Sequence, residues 1–244
     1  MMKTAICIAG TARQIDHTFD NLRKHLVEDV ENSDTIVYIA ENSESDKGRL
    51  LFEKLENTCV HVVEEEPIDI SPFRFYDQWP PSQKTNYELG RQIFIKMLKS
   101  RSHMNTLIDQ NEKRLNKKYD RVIFSRMDVI YEKPVYNLIK DLELSPDLVW
   151  IPSFHNWTSG YNDRFVVSSK EGSHKYLSVY DHVKEYADQG HIFRAENTLK
   201  HHLSRMKVEV RNFDIRFARY RNGKQWDRFD NLQSQEWIEP YRVD

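Results

Sequence analysis

The chain has 244 residues, of which 30% are charged and 39% are hydrophobic, a composition that is typical of globular proteins and excludes a disordered one. The length fits one domain, residues 1–244, in which we expect residues 220–244 to form a tail that packs near the functional site. The formal net charge of -2 argues against nucleic acid as a partner, because nucleic-acid-binding domains usually carry a basic excess.

Cysteine usage and hydropathy indicate a reducing, aqueous compartment. Cys7 and Cys59 are too few for a disulfide framework, and the apolar run around Cys7 predicts a buried thiol. No stretch approaches the roughly 20 apolar residues of a transmembrane segment, and no signal peptide is recognisable. We therefore expect a cytoplasmic protein, with peripheral attachment to a membrane left open, in which the sequon at Asn156 is not glycosylated.

The first quarter of the chain alternates short apolar strands with amphipathic helices. Runs of β-branched and apolar residues favour strands, and Phe19, Leu22 and Leu26 recur at helical spacing. The predicted elements are a strand over 4–9, a helix over 17–30, a strand over 35–40, a helix over 47–55 and a strand over 59–63. Alternation of this kind implies a parallel sheet with helices on both faces.

The rest of the chain continues the mixture of strands and helices. Four prolines predict an irregular segment over 64–82. A long helix is expected over 86–117, with one break near 100–105. The remaining predictions are strands over 121–125, 147–151, 164–168 and 207–210 and helices over 175–187 and 195–206. The fold class is therefore α/β, with a central, mostly parallel sheet flanked by helices on both faces.

The turn after the first strand, Ala9-Gly10-Thr11-Ala12-Arg13, is a candidate nucleotide-binding loop. Ligands of open α/β sheets bind beyond the carboxyl ends of the strands. Glycine lets the backbone approach a phosphate closely, and Arg13 can add a bidentate phosphate contact. The loop lacks the second and third glycines of a dinucleotide fingerprint, so an ordinary turn with a surface arginine is the alternative.

The strand over 121–125 leads directly into Arg126 and Asp128. A carboxylate at this point can hold a hard divalent cation against a diphosphate, and the cation then offsets the charge of the leaving group. Arg126 can pair with phosphate oxygens or orient Asp128. The alternative is a plain ion pair between Arg126 and Asp128 at the end of the strand.

Two more carboxylates and several aromatic side chains are candidate site residues. Asp163 can act as the base that deprotonates an acceptor hydroxyl, and Glu196 can be a second active-site carboxylate. The alternatives are a capping turn for Asp163 and a favourable first-turn acid for Glu196. Aromatic residues in loops can stack on a base or a sugar, and the candidates are Trp79, Trp157 and Tyr161.

Five short segments occur in an order that is characteristic of one protein family. They are ICIAGTAR at 6–13, QW at 78–79, YDRVIFSRMD at 119–128, GYNDRF at 160–165 and AENTLKHHL at 195–203. Over about residues 3–203, the sequence resembles bacterial and large-virus glycosyltransferase-like proteins of the GT-A fold, associated with surface polysaccharide synthesis. The resemblance implies a GT-A-like, Rossmann-like fold.

The resemblance also implies an activity. It implies a glycosyltransferase of the hexosyltransferase type that moves a sugar from a nucleotide-diphosphate donor such as a UDP-sugar. The acceptor would be a glycan, a lipid-linked glycan or another hydroxyl compound. In this family Arg-x-Asp stands where other GT-A enzymes carry Asp-x-Asp, so Asp128 would be the metal or donor-phosphate residue, with Mn²⁺ or Mg²⁺ as cofactor.

The resemblance also implies roles for individual residues: Gly10 and Arg13 would line the nucleotide site, Asp163 would face the donor sugar or the acceptor, and Glu196 would lie nearby. From the residues themselves, we expect Asp163 to be the catalytic base, with Glu196 as the second catalytic candidate, and Trp157 and Tyr161 to bind the acceptor or the sugar. The expected nucleotide and donor site comprises Ala9, Gly10, Thr11, Arg13, Trp79, Arg126 and Asp128.

Two other functions remain open from the sequence. One is a different nucleotide-dependent transferase or a hydrolase on a similar sheet. The other is a non-catalytic nucleotide- or glycan-binding module, which is favoured by the single carboxylate of the Arg126-x-Asp128 motif. That single carboxylate also leaves the need for a metal open.

Overall fold

The structure is a computed structural model that describes residues 2–75, 87–154, 156, 159–221 and 224–225. In chain order, its first half contains β1 (Thr4–Thr11), α1 (Ile15–Leu22) with a π-helical turn at Arg23–Val27, β2 (Ser33–Ala40), α2 (Ser45–Phe52), β3 (Thr58–Val63), β4 (Arg74–Phe75), α3 (Tyr87–Leu115) and β5 (Arg121–Arg126). Its second half contains β6 (Val129–Tyr131), α4 (Tyr136–Ile139), β7 (Leu148–Pro152), β8 (Phe165–Ser168), α5 (Lys170–Leu177), a 3-10 turn at Ser178–His182, α6 (Val183–Asp188), β9 (Ile192–Phe193), α7 (Ala195–Arg205), β10 (Glu209–Phe213), β11 (Phe217–Arg221) and β12 (Lys224–Gln225).

Within the described residues, the central sheet has seven strands in the order β10-β7-β8-β5-β1-β2-β3. The pairs β1–β2, β1–β5, β2–β3 and β7–β10 are parallel, whereas β8 is antiparallel to both of its neighbours. The sheet is therefore mostly parallel, and the predicted α/β fold class is confirmed.

The reversed direction of β8 places the residues that precede it beside the carboxyl end of β5. Ser125 of β5 pairs with Phe165 of β8, and the Arg126 amide donates to the Arg164 carbonyl at 3.2 Å. Because β8 runs opposite to β5, the segment before β8 lies at the carboxyl end of β5. The sequence predicts the strand at 164–168 but not its direction.

Helices cover both faces of the sheet because side chains alternate along each strand. Cys7 and neighbours on one face of β1 share a hydrophobic core with buried residues of α3, α5 and α7. Ile8 and neighbours on the other face share a second core with α1, α2 and α4. Cys7 is fully buried and both cysteines are free thiols, as the sequence predicts.

The long helix α3 is continuous, so the predicted break near 100–105 is wrong. Ser, His and Asn in this stretch have modest helix propensity. However, Arg101, Met104 and Leu107 are buried, and the Ser100 hydroxyl donates to the Met97 carbonyl at 2.9 Å. Burial of one face outweighs the weak local propensity.

The helix predicted over 175–187 begins earlier than expected and is divided in three, as α5, the 3-10 turn and α6. The Ser169 side chain caps α5 by accepting from the Gly172 amide at 3.1 Å. Ser169 is an N-cap signal that the apolar spacing does not reveal. None of the helices in the described part of the chain has both the length and the apolar character needed to cross a bilayer.

Candidate active site

The predicted site residues that the structure describes gather where β1 and β5 end and where β8 and α7 begin. We call this region, residues 9–13, 125–128, 160–164 and 194–196, the carboxyl edge. β1 and β5 are parallel neighbours, so the turn after β1 and the Arg-x-Asp motif after β5 lie side by side. The Met127 amide donates to the Ala9 carbonyl at 3.3 Å, which ties the two turns together.

Glycine at position 10 suits the close approach of these turns. Its φ angle is +155°, and a Cβ atom there would lie 3.3 Å from the Met127 Cβ. Thr11 completes β1 opposite Ala40 of β2. Arg13 follows in an exposed turn, where its side chain is accessible to a ligand.

Arg126 and Asp128 form a bidentate ion pair at the end of β5. Nε and Nη2 of Arg126 donate to the two carboxylate oxygens of Asp128, each at 2.8 Å. The two side chains are only 18% and 14% exposed. Fork-like pairing of this kind fixes the plane of a guanidinium group, so Asp128 determines the direction in which the remaining N–H groups of Arg126 point.

Asp163 pairs with a residue that sequence reasoning missed, Arg101 in the middle of α3. Arg101 Nη2 donates to the Asp163 carboxylate at 2.7 Å and also to the Asp163 backbone carbonyl. The two side chains are 2% and 5% exposed. Burial raises the pKa of the Asp163 carboxyl, but the guanidinium groups of Arg101, Arg164 and Arg126 outweigh burial and hold that pKa below its usual value.

Glu196 lies in the first turn of α7, against the loop that carries Asp163. The Tyr161 amide donates to the Glu196 carbonyl at 3.0 Å. A Cβ atom on Gly160 would lie 2.5 Å from the Glu196 carbonyl carbon, so only glycine fits there without movement. This contact brings Asp163 and Glu196 together although they are 33 positions apart in the sequence and no spacing or periodicity relates them.

The environment of Glu196 differs from that of Asp163. Its side chain is 12% exposed, and its separation from Arg194 Nε is 4.0 Å, which is long for an ion pair. Burial, together with the negative charge of Asp163, raises the pKa of the Glu196 carboxyl, and Arg164 and Arg194 only partly oppose this. A raised pKa in a mostly buried carboxylate suits a proton acceptor, because it strengthens the base.

The other predicted site residues have mixed placements. Tyr161 belongs to the carboxyl edge and is half-buried, with the Lys200 ammonium 5.7 Å from its ring centroid. Trp79 and Trp157 lie outside the described residues. Of the predicted tail, Tyr220 donates its amide to the Asp128 carbonyl at 2.9 Å, and residues 226–244 lie outside the described residues.

The donor atoms at the carboxyl edge do not fit the predicted Mn²⁺ or Mg²⁺ site. Both oxygens of Asp128 accept from Arg126, and the resulting pair carries no net charge. Hard cations of this class take several oxygen ligands. The described part of the chain contains no group of three or more His, Cys, Asp or Glu side chains that could hold a metal ion.

His202 of α7 is not available as a metal ligand at the carboxyl edge. His202 is fully buried, its Nδ1 accepts from the Tyr186 hydroxyl at 2.7 Å, and its Nε2 donates to the Lys175 carbonyl at 2.7 Å. Both nitrogens of His202 therefore have structural partners. His201 stacks on His191 with 4.5 Å between ring centroids.

A cleft of about 640 Å³ lies at the opposite end of the sheet. It is lined by Lys3, Asn32, Asn57 and Lys117, which precede the amino ends of the central strands. None of the predicted site residues borders it. Because ligands of open α/β sheets bind at the carboxyl ends of the strands, we assign the candidate site to the carboxyl edge.

One family model matches residues 1–222, and its description is Domain of unknown function (DUF7796). The chain belongs to the DUF7796 family. No curated protein matches the sequence of this DUF7796 chain.

Solved structures of glycosyltransferase GlyE from Streptococcus pneumoniae TIGR4 resemble the DUF7796 chain. One aligns with a TM-score of 0.50 and 12% sequence identity, covering 87% of this chain and 45% of that chain. The apo form aligns with a TM-score of 0.49 and 10% identity, covering 86% of this chain and 45% of that chain. The DUF7796 chain therefore spans less than half the length of these structures, and the likeness shows a glycosyltransferase-like fold.

Proposed function

We propose that this chain is a glycosyltransferase that takes a sugar from a nucleotide-diphosphate donor. One observation carries the proposal: Arg126, Asp128, Asp163 and Glu196 converge at the carboxyl edge of a sheet whose fold resembles glycosyltransferases. Arginine suits a diphosphate, and a carboxylate with a raised pKa suits proton removal from a hydroxyl. The two chemistries that glycosyl transfer requires are thus present side by side.

In this proposal the nucleotide lies across the turns after β1 and β5. The backbone of Ala9, Gly10 and Thr11 approaches the nucleotide, since Gly10 keeps that surface free of a side chain. Arg13 and Arg126 contact the diphosphate. Trp79 stays a proposed donor contact, and Trp157 and Tyr161 stay proposed platforms for the sugar or acceptor.

In the proposed reaction, Glu196 is the base. The acceptor oxygen attacks the anomeric carbon, and the bond from that carbon to the β-phosphate oxygen breaks with its electron pair leaving on the phosphate. The proton of the acceptor hydroxyl passes to the Glu196 carboxylate. Attack from the face opposite the leaving group inverts the anomeric centre.

The sequence favours Asp163 as the base, but in this proposal Asp163 has a supporting role. Its carboxylate is ion-paired with Arg101, and its pKa is low, so it is a weak base. Its negative charge raises the pKa of Glu196. We propose that Asp163 tunes and positions Glu196.

The donor is proposed to be a hexose on a nucleoside diphosphate such as UDP, and the acceptor a glycan, a lipid-linked glycan or another hydroxyl compound. A panel of UDP-, GDP-, CDP-, ADP- and dTDP-sugars, assayed for nucleotide release with and without simple glycan acceptors, tests the class of reaction. Release from at least one donor supports the proposal. Binding of intact donor without release under every condition would favour the non-catalytic module instead.

The Glu196→Gln variant tests the base. It keeps the size of the side chain and removes proton acceptance, so kcat should fall by about 10²- to 10⁴-fold while donor affinity changes little. The matched control is Glu185→Gln, since Glu185 is an exposed acid of α6 that pairs with Arg205. Unchanged kcat in Glu196→Gln would remove Glu196 from the mechanism.

A further inference from the structure

The Arg126–Asp128 pair leaves one edge of the guanidinium group for a ligand. Nε and one N–H of Nη2 are used by Asp128. The neighbour of Nη1 is the Met97 sulfur at 3.6 Å, and a thioether is a weak acceptor. The edge formed by Nη1 and Nη2 therefore retains two parallel N–H donors, which match the spacing of two phosphate oxygens.

The charges around this pair favour an anion over a cation. Among the described residues of the carboxyl edge and the adjoining face of α3, five guanidinium groups accompany three carboxylates. These are Arg13, Arg101, Arg126, Arg164 and Arg194, with Asp128, Asp163 and Glu196. The excess of positive charge favours a diphosphate, and the same excess repels a divalent cation.

Arg126 stays charged although it is buried. Burial lowers the pKa of its guanidinium group, but the carboxylates of Asp128, Asp163 and Glu196 more than compensate and keep the pKa above its ordinary value. A permanent positive charge therefore lies at the end of β5. In enzymes that use Asp-x-Asp, as the sequence resemblance implies, this position serves a metal ion.

We propose that this site binds the diphosphate of a nucleotide without a divalent cation, with Arg126 in the place of the cation and Asp128 as the positioning residue that holds Arg126. The identity of the ligand rests on the proposed function. When the bond to the anomeric carbon breaks, the electron pair goes to the β-phosphate oxygen. Arg126 then stabilises the added negative charge by two hydrogen bonds and by its own charge.

The test measures binding and turnover separately. UDP, GDP, CDP, ADP and dTDP are titrated into the full chain by calorimetry, once in EDTA and once in excess Mn²⁺ or Mg²⁺. At least one nucleoside diphosphate should bind with a Kd that agrees within about threefold between the two conditions. Donor turnover, measured in the same two buffers, should likewise be unaffected by the chelator.

Substitutions of Arg126 and Asp128 distinguish the residue that contacts the ligand from the residue that positions it. Arg126→Lys keeps the charge but loses the fork, and should weaken nucleoside diphosphate binding by about tenfold or more. Asp128→Asn can still accept one hydrogen bond from Arg126 and should weaken binding less than Arg126→Lys does, with no response to Mn²⁺. The matched controls are Arg49→Lys and Asp46→Asn, an exposed pair on α2 with 3.1 Å between partners, which should bind like the wild type.

Each outcome has one meaning. Binding or turnover that appears only with a cation overturns the proposal and leaves the glycosyltransferase function intact. Cation-independent binding without transfer from any donor supports the proposal and overturns the function. No binding of any nucleoside diphosphate, with or without cation, overturns both.

Discussion

Arg101 and Asp163 form a buried ion pair whose members come from distant parts of the chain, the middle of α3 and the loop before β8. Nothing in the sequence relates them, because 62 positions separate them and α3 shows only a general apolar face. The low pKa of Asp163 is a consequence of this pairing. The sequence does predict Asp163 and Glu196 as candidates, but their different environments follow from tertiary contacts that no local pattern encodes.

Loss of the Arg101 charge should destabilise the protein. Arg101→Met leaves the Asp163 carboxylate buried without its closest ion-pair partner, and breaking a buried pair in this way costs about 3–5 kcal/mol. The free energy of unfolding from urea denaturation at neutral pH measures the effect. Arg101→Lys is the control, since it keeps the positive charge and should reduce the free energy of unfolding by less. A change below about 1 kcal/mol in Arg101→Met would contradict the role of the pair.

The pH dependence of activity should report the protonation of Glu196. A base works only when deprotonated, and the pKa of Glu196 is raised by burial and by Asp163, so activity should fall as the pH drops through that raised pKa. Asp163→Asn removes the neighbouring negative charge and should move this acid limb of kcat/KM to lower pH. An acid limb that stays in place in Asp163→Asn would show that Asp163 does not tune Glu196.

At the scale of elements, hydrophobic periodicity is sufficient to predict the strands β1, β2, β3 and β5, and they lie within two residues of the predicted bounds. Hydrophobic periodicity does not predict features that depend on tertiary packing. The continuity of α3 through 100–105 depends on the burial of Arg101 and Met104, and the reversed direction of β8 depends on which strands it joins. The reversal matters most for function, because it brings Asp163 beside Arg126.

The contact between the loop before β8 and the start of α7 should tolerate no side chain at Gly160. In Gly160→Ala the new Cβ meets backbone atoms of Glu196 and Asn197 at 2.5 and 2.8 Å, so α7 has to shift. We expect a loss of about 1–3 kcal/mol in the free energy of unfolding, as for other overpacked sites, and a lower kcat because Glu196 moves.

The matched control for Gly160→Ala is Gly90→Ala in α3. Among the described residues, no atom lies within 4 Å of the position that a Cβ atom on Gly90 would take. The backbone there is helical, so alanine should be neutral or stabilising by up to about 1 kcal/mol. Thermal unfolding and steady-state kinetics of both variants give the comparison. Equal behaviour of the two alanine variants would show that the loop and α7 do not need close contact.

At the scale of the whole molecule, the sequence predicts the α/β class and the edge at which the candidate site residues gather, since both follow from the order of strands and helices. It does not predict the small elements β6, β9 and β11. β6 and β9 have only three and two residues, which is too short for a periodic signal. β11 pairs with β6 and brings Tyr220 to Asp128, so part of the site depends on pairing between distant segments.

Global stability should fall on mild acidification because of His202. Burial lowers the pKa of His202 to about 4, so the unfolded chain, with an ordinary histidine pKa, takes up a proton more readily. The stability contributed by neutral His202 is present at pH 7 and is lost as the pH falls from about 6.5 towards 4, by on the order of 2–3 kcal/mol. The free energy of unfolding, measured by urea denaturation, should therefore decrease less between pH 7 and pH 5 in His202→Gln than in the wild type. The same decrease in both proteins would contradict this assignment.

We propose that an activated sugar binds at the carboxyl edge with its diphosphate on Arg126 and its anomeric carbon facing Glu196. A crystal structure of the chain soaked with the donor that shows release in the panel assay tests this most directly. We expect density for the diphosphate on the Nη1–Nη2 edge of Arg126, with the sugar between Arg126 and Glu196. A donor bound in the cleft between Lys3 and Lys117, at the opposite end of the sheet, would contradict it.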